Sequence, residues 1–140
     1  MLGVKELAIF DIDPKRAESV AQNLSSHFGA GRAKAGSDLP GTIAQANGLI
    51  NATPIGMDAH SGMPLPAELL RPDLWVAEII YFPMETELLR RTRALGARTI
   101  DGGGMAVFQA ALAFKLFFEV EPDIPRMLRR FHSRLATAAA

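Results

Sequence analysis

Residues 5–14, Lys5-Glu6-Leu7-Ala8-Ile9-Phe10-Asp11-Ile12-Asp13-Pro14, decide the class of fold. A short apolar run, Lys5 to Phe10, reads as a buried strand that ends in an acidic turn. From Pro14 the apolar period becomes helical, with Ala17, Val20, Ala21, Leu24 and Phe28 on one face. Asp13 before Pro14 fits an N-cap followed by proline in the first helical position. Gly29-Ala30-Gly31 then stops the helix.

The same alternation runs through the rest of the chain. Arg32 to Ala35 reads as a short strand and Gly41 to Ala46 as a short helix. Gly48-Leu49-Ile50-Asn51 is a clearer strand, followed by Ala52-Thr53-Pro54. Residues 55–66 form a loop rich in Gly, Pro and Met, long enough to suggest a working loop. Leu74 to Ile80 is the next strand. Glu85 to Leu95 is the next helix, with Leu88, Leu89, Thr92 and Leu95 inward, and Gly96 ends it. Arg98 to Ile100 is a last short strand. Asp101-Gly102-Gly103-Gly104 leads into an apolar helix from Met105 to about Glu119. A final amphipathic helix starts near Asp123, with Ile124, Met127, Leu128, Phe131 and Leu135 on one face. The trailing residues 136–140 are expected to fray.

Short buried strands alternating with helices indicate an α/β fold, a Rossmann-like parallel sheet with helices on both faces. The length, 140 residues, suits one domain. A composition 49% hydrophobic and 21% charged supports a buried core. Fifteen basic residues balance fifteen acidic ones, so neither nucleic acid nor an anionic membrane is an expected partner. The lack of cysteine excludes disulfides, thiolate zinc sites and a cysteine nucleophile. No apolar run approaches the roughly 18 residues needed to span a bilayer, and no signal sequence is recognisable. A cytoplasmic location is the expectation.

Ligands of parallel α/β sheets bind beyond the carboxyl ends of the strands. Four stretches therefore matter: Asp11 to Asp13, Asn51 to Met57, Tyr81 to Pro83, and Asp101 to Met105. In a dinucleotide-binding fold, an acid after the second strand bonds the adenosine ribose and repels a 2′-phosphate, which favours NAD over NADP. Asp11 suits that role; equally, it suits the start of a turn. Arg16, one helical turn on, reads either as an adenosine neighbour or as a solvated residue. The glycine-rich phosphate loop belonging about 20 residues upstream of such an acid has no room before Asp11. Gly102-Gly103-Gly104 would permit close approach of a ligand, or form a plain turn. Asp11-Ile12-Asp13 also resembles the opening of a haloacid dehalogenase-type phosphatase, but the late acidic pair that holds magnesium is missing. His27, His60 and His132 are isolated in sequence, so no metal site is expected.

Three phrases carry a more specific resemblance. Asn51-Ala52-Thr53-Pro54-Ile55-Gly56-Met57 resembles the N-A-T-x-x-G-M loop of the shikimate dehydrogenase family. Glu78-Ile79-Ile80-Tyr81-Phe82-Pro83, with Glu85-Thr86-Glu87-Leu88-Leu89, is similar to that family's next strand and tyrosine-bearing turn. Asp101-Gly102-Gly103-Gly104-Met105-Ala106-Val107-Phe108-Gln109-Ala110 is similar to its D-G-x-x-M-x-x-x-Q-A signature. The stretch Asp11 to Arg16 most resembles the NAD-preferring quinate/shikimate dehydrogenases.

The resemblance implies NAD as cofactor, held by Asp11, Arg16, Asn51, Ala52, Thr53, Ile79, Gly102 and Met105. It implies Tyr81 and Gln109 as contacts to a quinate or shikimate substrate. Gln109 lies on a mostly apolar helix, and a buried amide needs a partner, so a ligand or a neighbouring loop should satisfy it. The resemblance also implies that residues 1–140 are one truncated cofactor-binding domain. The first strand, the glycine-rich loop and an N-terminal catalytic domain with a Lys–Asp pair would then lie outside this sequence. No catalytic residue is therefore expected here, and the chain alone should be inactive. An alternative is a non-catalytic binding module, with self-association through an exposed sheet edge.

Overall fold

The computed structural model describes residues 3–138, with side chains as far as Arg134. The chain divides into two compact units, one ending at Ala46 and one starting at Asn47.

The first unit is β1 (Leu7–Ile9), α1 (Pro14–Phe28), β2 (Ala33–Ala35) and α2 (Leu39–Gln45). β1 and β2 are parallel, with Leu7, Ala8 and Ile9 opposite Ala33, Lys34 and Ala35. Asp13 caps α1 as expected, its carboxylate accepting the Lys15 N–H at 3.0 Å beside Pro14. At the other end Gly29 takes φ +109°, and its N–H donates to Ser25 O. The Ser25 hydroxyl donates to Ala33 O at 2.9 Å, tying α1 to β2. Small residues on the inner face, Ala17 and Ala21, are the buried ones, while Val20 and Phe28 stay exposed. β1 is less buried than its apolar run suggests, with Leu7 exposed and Ala8 and Ile9 half-buried. Among the described strands it pairs with β2 alone, so less surface covers it.

The second unit is β3 (Gly48–Asn51), β4 (Trp75–Glu78), α3 (Glu87–Ala94), β5 (Thr99–Ile100), α4 (Gly102–Phe118) and α5 (Ile124–Ala138). Its three strands are parallel in the order β3-β4-β5. Gly48 lies opposite Trp75, and a Cβ there would fall within the indole ring. Leu74, Val76, Leu88 and Leu89 form the driest part of the core, with Thr86 and Thr92 beside them. Each such apolar side chain contributes about 1.5–3 kcal/mol by leaving water. Among the described residues, no helix is long and apolar enough to cross a membrane.

Some sequence expectations need correction. Leu95 is exposed, because α3 ends at Ala94 and Leu95 is its C-cap. The glycines are not a lead-in: α4 starts at Gly102, capped by Asp101, which accepts the Gly103 N–H at 3.1 Å. A single 3-10 turn, Ala67–Leu69, interrupts the segment between β3 and β4. α5 continues through 136–138, where fraying was expected, and residues 139 and 140 lie outside the described residues, as does the side chain of Leu135.

At the start of α3, Glu87 meets Arg90 at 2.7 Å and Arg91 at 2.6 Å. Hydrogen bonds from Arg90, then Arg91, hold its carboxyl at about 2 instead of the usual 4.5. A folded-state value below the unfolded one gives stability that is complete above about 4.5 and disappears as pH falls through about 2. The pair is solvent-facing, so the effect is small and screened by salt. Carboxyl NMR should therefore place the Glu87 midpoint near 2, and Glu87→Gln should remove the acid sensitivity of α3 amide exchange in that window.

Candidate functional site at the carboxyl ends of the strands

In the second unit the site grows from the ends of β3 and β4. Asn51, the last residue of β3, is 2% exposed, and its amide is fully engaged. Its Nδ2 donates to Ile55 O at 3.0 Å and to both Glu78 oxygens at 3.0 and 3.1 Å. Its Oδ1 accepts the Thr53 N–H at 3.1 Å and the Thr53 hydroxyl at 2.8 Å. Thr53 Oγ1 in turn accepts the Ile55 N–H at 3.1 Å. These bonds replace the ladder that the backbone loses beyond the strand, so the start of the 51–57 loop has a defined shape. Gly56 follows at φ +116°, a conformation glycine adopts without strain, and its N–H donates to His60 O at 2.7 Å.

Glu78 ends β4 and is 3% exposed. Besides Asn51, it accepts the Ile80 N–H at 3.2 Å and the Thr86 hydroxyl at 3.1 Å. Thr86 Oγ1 also accepts the Leu89 N–H at 3.3 Å and so caps α3. A buried carboxylate is costly unless hydrogen-bonded; here each oxygen has partners. Sequence reasoning gave Glu78 and Thr86 no site role. The available signal was an acid closing an otherwise apolar strand.

Beyond Glu78 the chain leaves the sheet. Ile79 is 38% and Tyr81 50% exposed, and the Tyr81 ring lies 6.4 Å from that of Phe131 on α5. Gly102 is buried where α4 starts, and a Cβ there would press on the carbonyl oxygens of Ile79 and Ile80. Met105, on the first turn of α4, is 50% exposed. Ile79, Tyr81 and Met105 are thus apolar and aromatic side chains exposed on the segment after β4 and the first turn of α4. Ala52 is exposed and Thr53 half-buried.

Gln109 departs from expectation. It is exposed, and its Nε2 donates to Ala106 O at 3.1 Å within its own helix. The buried face of α4 is instead that of Val107 and Ala111, while Met105, Phe108, Leu112 and Leu116 are exposed. The Gln109 side chain is therefore held locally, with no buried amide to satisfy.

In the first unit, Asp11 follows β1. Its Oδ1 accepts the Asp13 N–H at 2.9 Å, so it does begin a turn. Its Oδ2 lies 3.8 Å from Arg16, whose side chain is 67% exposed. The turn occupies one carboxylate oxygen and leaves the other beside a solvent-facing guanidinium.

No protein-family model matches the chain. Curated relatives do. A shikimate dehydrogenase (NADP(+)) of Streptomyces avermitilis is 55% identical over 140 residues, spanning 99% of this chain and 48% of that protein. A quinate/shikimate dehydrogenase (NAD(+)) of Corynebacterium efficiens is 46% identical, spanning 94% and 47%. Among solved structures, quinate dehydrogenase from Corynebacterium glutamicum in complex with NAD superposes with a TM-score of 0.88 at 41% identity, covering 94% of this chain and 47% of that one. The chain spans about half the length of these relatives. Within that span it is a homologue of the shikimate and quinate/shikimate dehydrogenases, and it has their Rossmann-like α/β fold.

Proposed function

We propose that these 140 residues are the cofactor-binding part of an NAD-linked dehydrogenase acting on quinate or shikimate. The observation that carries the choice of NAD is Asp11. It follows β1 and opens the turn into α1, with one carboxylate oxygen outside the turn's own hydrogen bond. An acid there accepts a ribose hydroxyl, whereas a 2′-phosphate would meet like charge. Relatives named for each cofactor are similar to this chain, so the preference rests on the residue and not on their names.

In the second unit, Asn51, Ala52 and Thr53 would offer backbone and small side chains to the cofactor. Ile79 and Met105 would give a nicotinamide ring apolar neighbours, and Gly102 would present its backbone. The Tyr81 hydroxyl and the Gln109 amide would donate to or accept from the hydroxyls of a cyclic polyol acid; Gln109 would exchange its weak local bond for them. The cofactor, when bound, supplies hydride acceptance and return. A group to move the hydroxyl proton is not assigned in this chain, so turnover by these residues alone is not expected. Measured dehydrogenase activity of the isolated chain would overturn that point.

Calorimetric titration of the chain with NAD and with NADP tests the cofactor reading. Binding of NAD at least about tenfold tighter than NADP is the expected result, and Asp11→Asn should erase most of that ratio. Equal binding of both by the unaltered chain would refute the role given to Asp11.

A further inference from the structure

The network around Glu78 joins three segments that are distant in sequence. Through Asn51 the carboxylate holds the 51–57 loop; through the Ile80 N–H it holds the backbone beside Ile79 and Tyr81; through Thr86 it holds the cap of α3. Ile80 O and Ile79 O are in turn the atoms on which Gly102 is seated. Within the second unit, the segments that carry Asn51 to Thr53, Ile79 and Tyr81 are therefore connected through one buried carboxyl group. Its four donor contacts come from two side chains and one backbone N–H, with Asn51 reaching both oxygens.

A carboxylate is suited to this place because it accepts at every lone pair and donates nothing. An amide in its position would turn one oxygen into a donor, facing Asn51 Nδ2 and the Thr86 hydroxyl. The hydroxyl could reverse and accept on its second lone pair beside the Leu89 N–H, but its own proton would then lose the acceptor it has in Glu78, and Asn51 Nδ2 cannot accept at all. Strain would pass to both loops at once. Leaving such a buried group badly paired is a loss large enough to move backbone segments instead of being absorbed locally.

We infer that Glu78 is a positioning residue, which fixes the 51–57 loop and the 79–81 turn as one preformed surface without itself touching ligand. The inference rests on the cofactor reading above for its functional consequence, but not for its structural one. The test compares the unaltered chain with Glu78→Gln, Thr86→Val and Leu74→Val. Leu74 precedes β4, at the strand end opposite Glu78, and is fully buried, so its variant reports loss of stability alone. Amide NMR of the chain without ligand should show Thr53, Ile55, Gly56, Ile80 and Leu89 displaced in Glu78→Gln. In Thr86→Val the shift of Thr53 should move as well, although Thr86 is hydrogen-bonded to it only through Glu78 and Asn51; the Gly56 side of the loop also lies directly against Thr86, so Thr53 is the deciding amide in this variant. Leu74→Val should leave all of them in place. NAD affinity should fall about tenfold in Glu78→Gln and stay unchanged in Leu74→Val.

If Glu78→Gln does not fold, Thr86→Val supplies the same readout. An unmoved Thr53 amide in the folded variants would overturn the inference. So would an NAD affinity that follows thermal stability across the set. Should the unaltered chain fail to bind NAD, the cofactor reading is what fails, and the amide shifts decide the positioning role by themselves.

Discussion

Gly102→Ala is expected to destabilise the second unit by about 3 kcal/mol, despite adding only one methyl group. Helix propensity points the other way, since alanine in place of glycine within a helix gains up to about 1 kcal/mol. Nor is a left-handed backbone the reason, because Gly102 is not among the glycines with positive φ. The obstacle is steric: the new Cβ would lie 2.6 Å from Ile80 O and closer still to Ile79 O. Both are backbone atoms that no rotamer change can remove, so α4 must lift from the 79–80 segment. Gly103→Ala is the matched control. Its Cβ would first meet the Met84 methyl at 2.8 Å, the end of a flexible side chain. Urea unfolding should show a large drop for the first variant and a change within about 1 kcal/mol for the second. Similar midpoints would show that the close approach of α4 to the β4 exit does not matter.

Leu89→Ala should cost a comparable amount, about 3–4 kcal/mol, through a cavity under α3. Leu89 is 0% exposed and its neighbour Leu88 1%, so the lost contacts cannot be replaced by water. Leu95→Ala, at the C-cap of the same helix, should change stability by less than about 0.5 kcal/mol, because Leu95 is 42% exposed. The comparison is made at an unchanged denaturant slope, which keeps both variants on the same unfolding transition. A Leu89→Ala chain as stable as Leu95→Ala would mean that α3 is not packed on β4 as described.

The order of strands and helices was legible because each junction carries local chemistry. Asp13 with Pro14, and Gly29, mark ends by capping and by conformational freedom, and these act within a few residues; the start of α4 was misplaced, because three glycines hid the cap at Asp101. The Glu78 network was not legible for the opposite reason. Its bond to Asn51 crosses 27 residues and its bond to Thr86 crosses 8, and only parallel pairing of β3 with β4 sets Asn51 opposite Glu78. Gln109 shows a third case. On a helix apolar nearly all round, periodicity cannot say which side is covered; Val107 and Ala111 are, and the side bearing Gln109 is not. The length of an apolar segment misled in a similar way at β1, whose residues are strand-like but only partly covered.

The seating of Trp75 over Gly48 has a spectroscopic consequence. Trp75 is the chain's one tryptophan, and its ring occupies the space where a side chain on the partner strand would otherwise stand. Its emission is therefore a built-in optical gauge of the β3–β4 pairing. Light absorbed by this indole reports when that register opens, with no label added, and the strand that ends in Asn51 can be followed in real time.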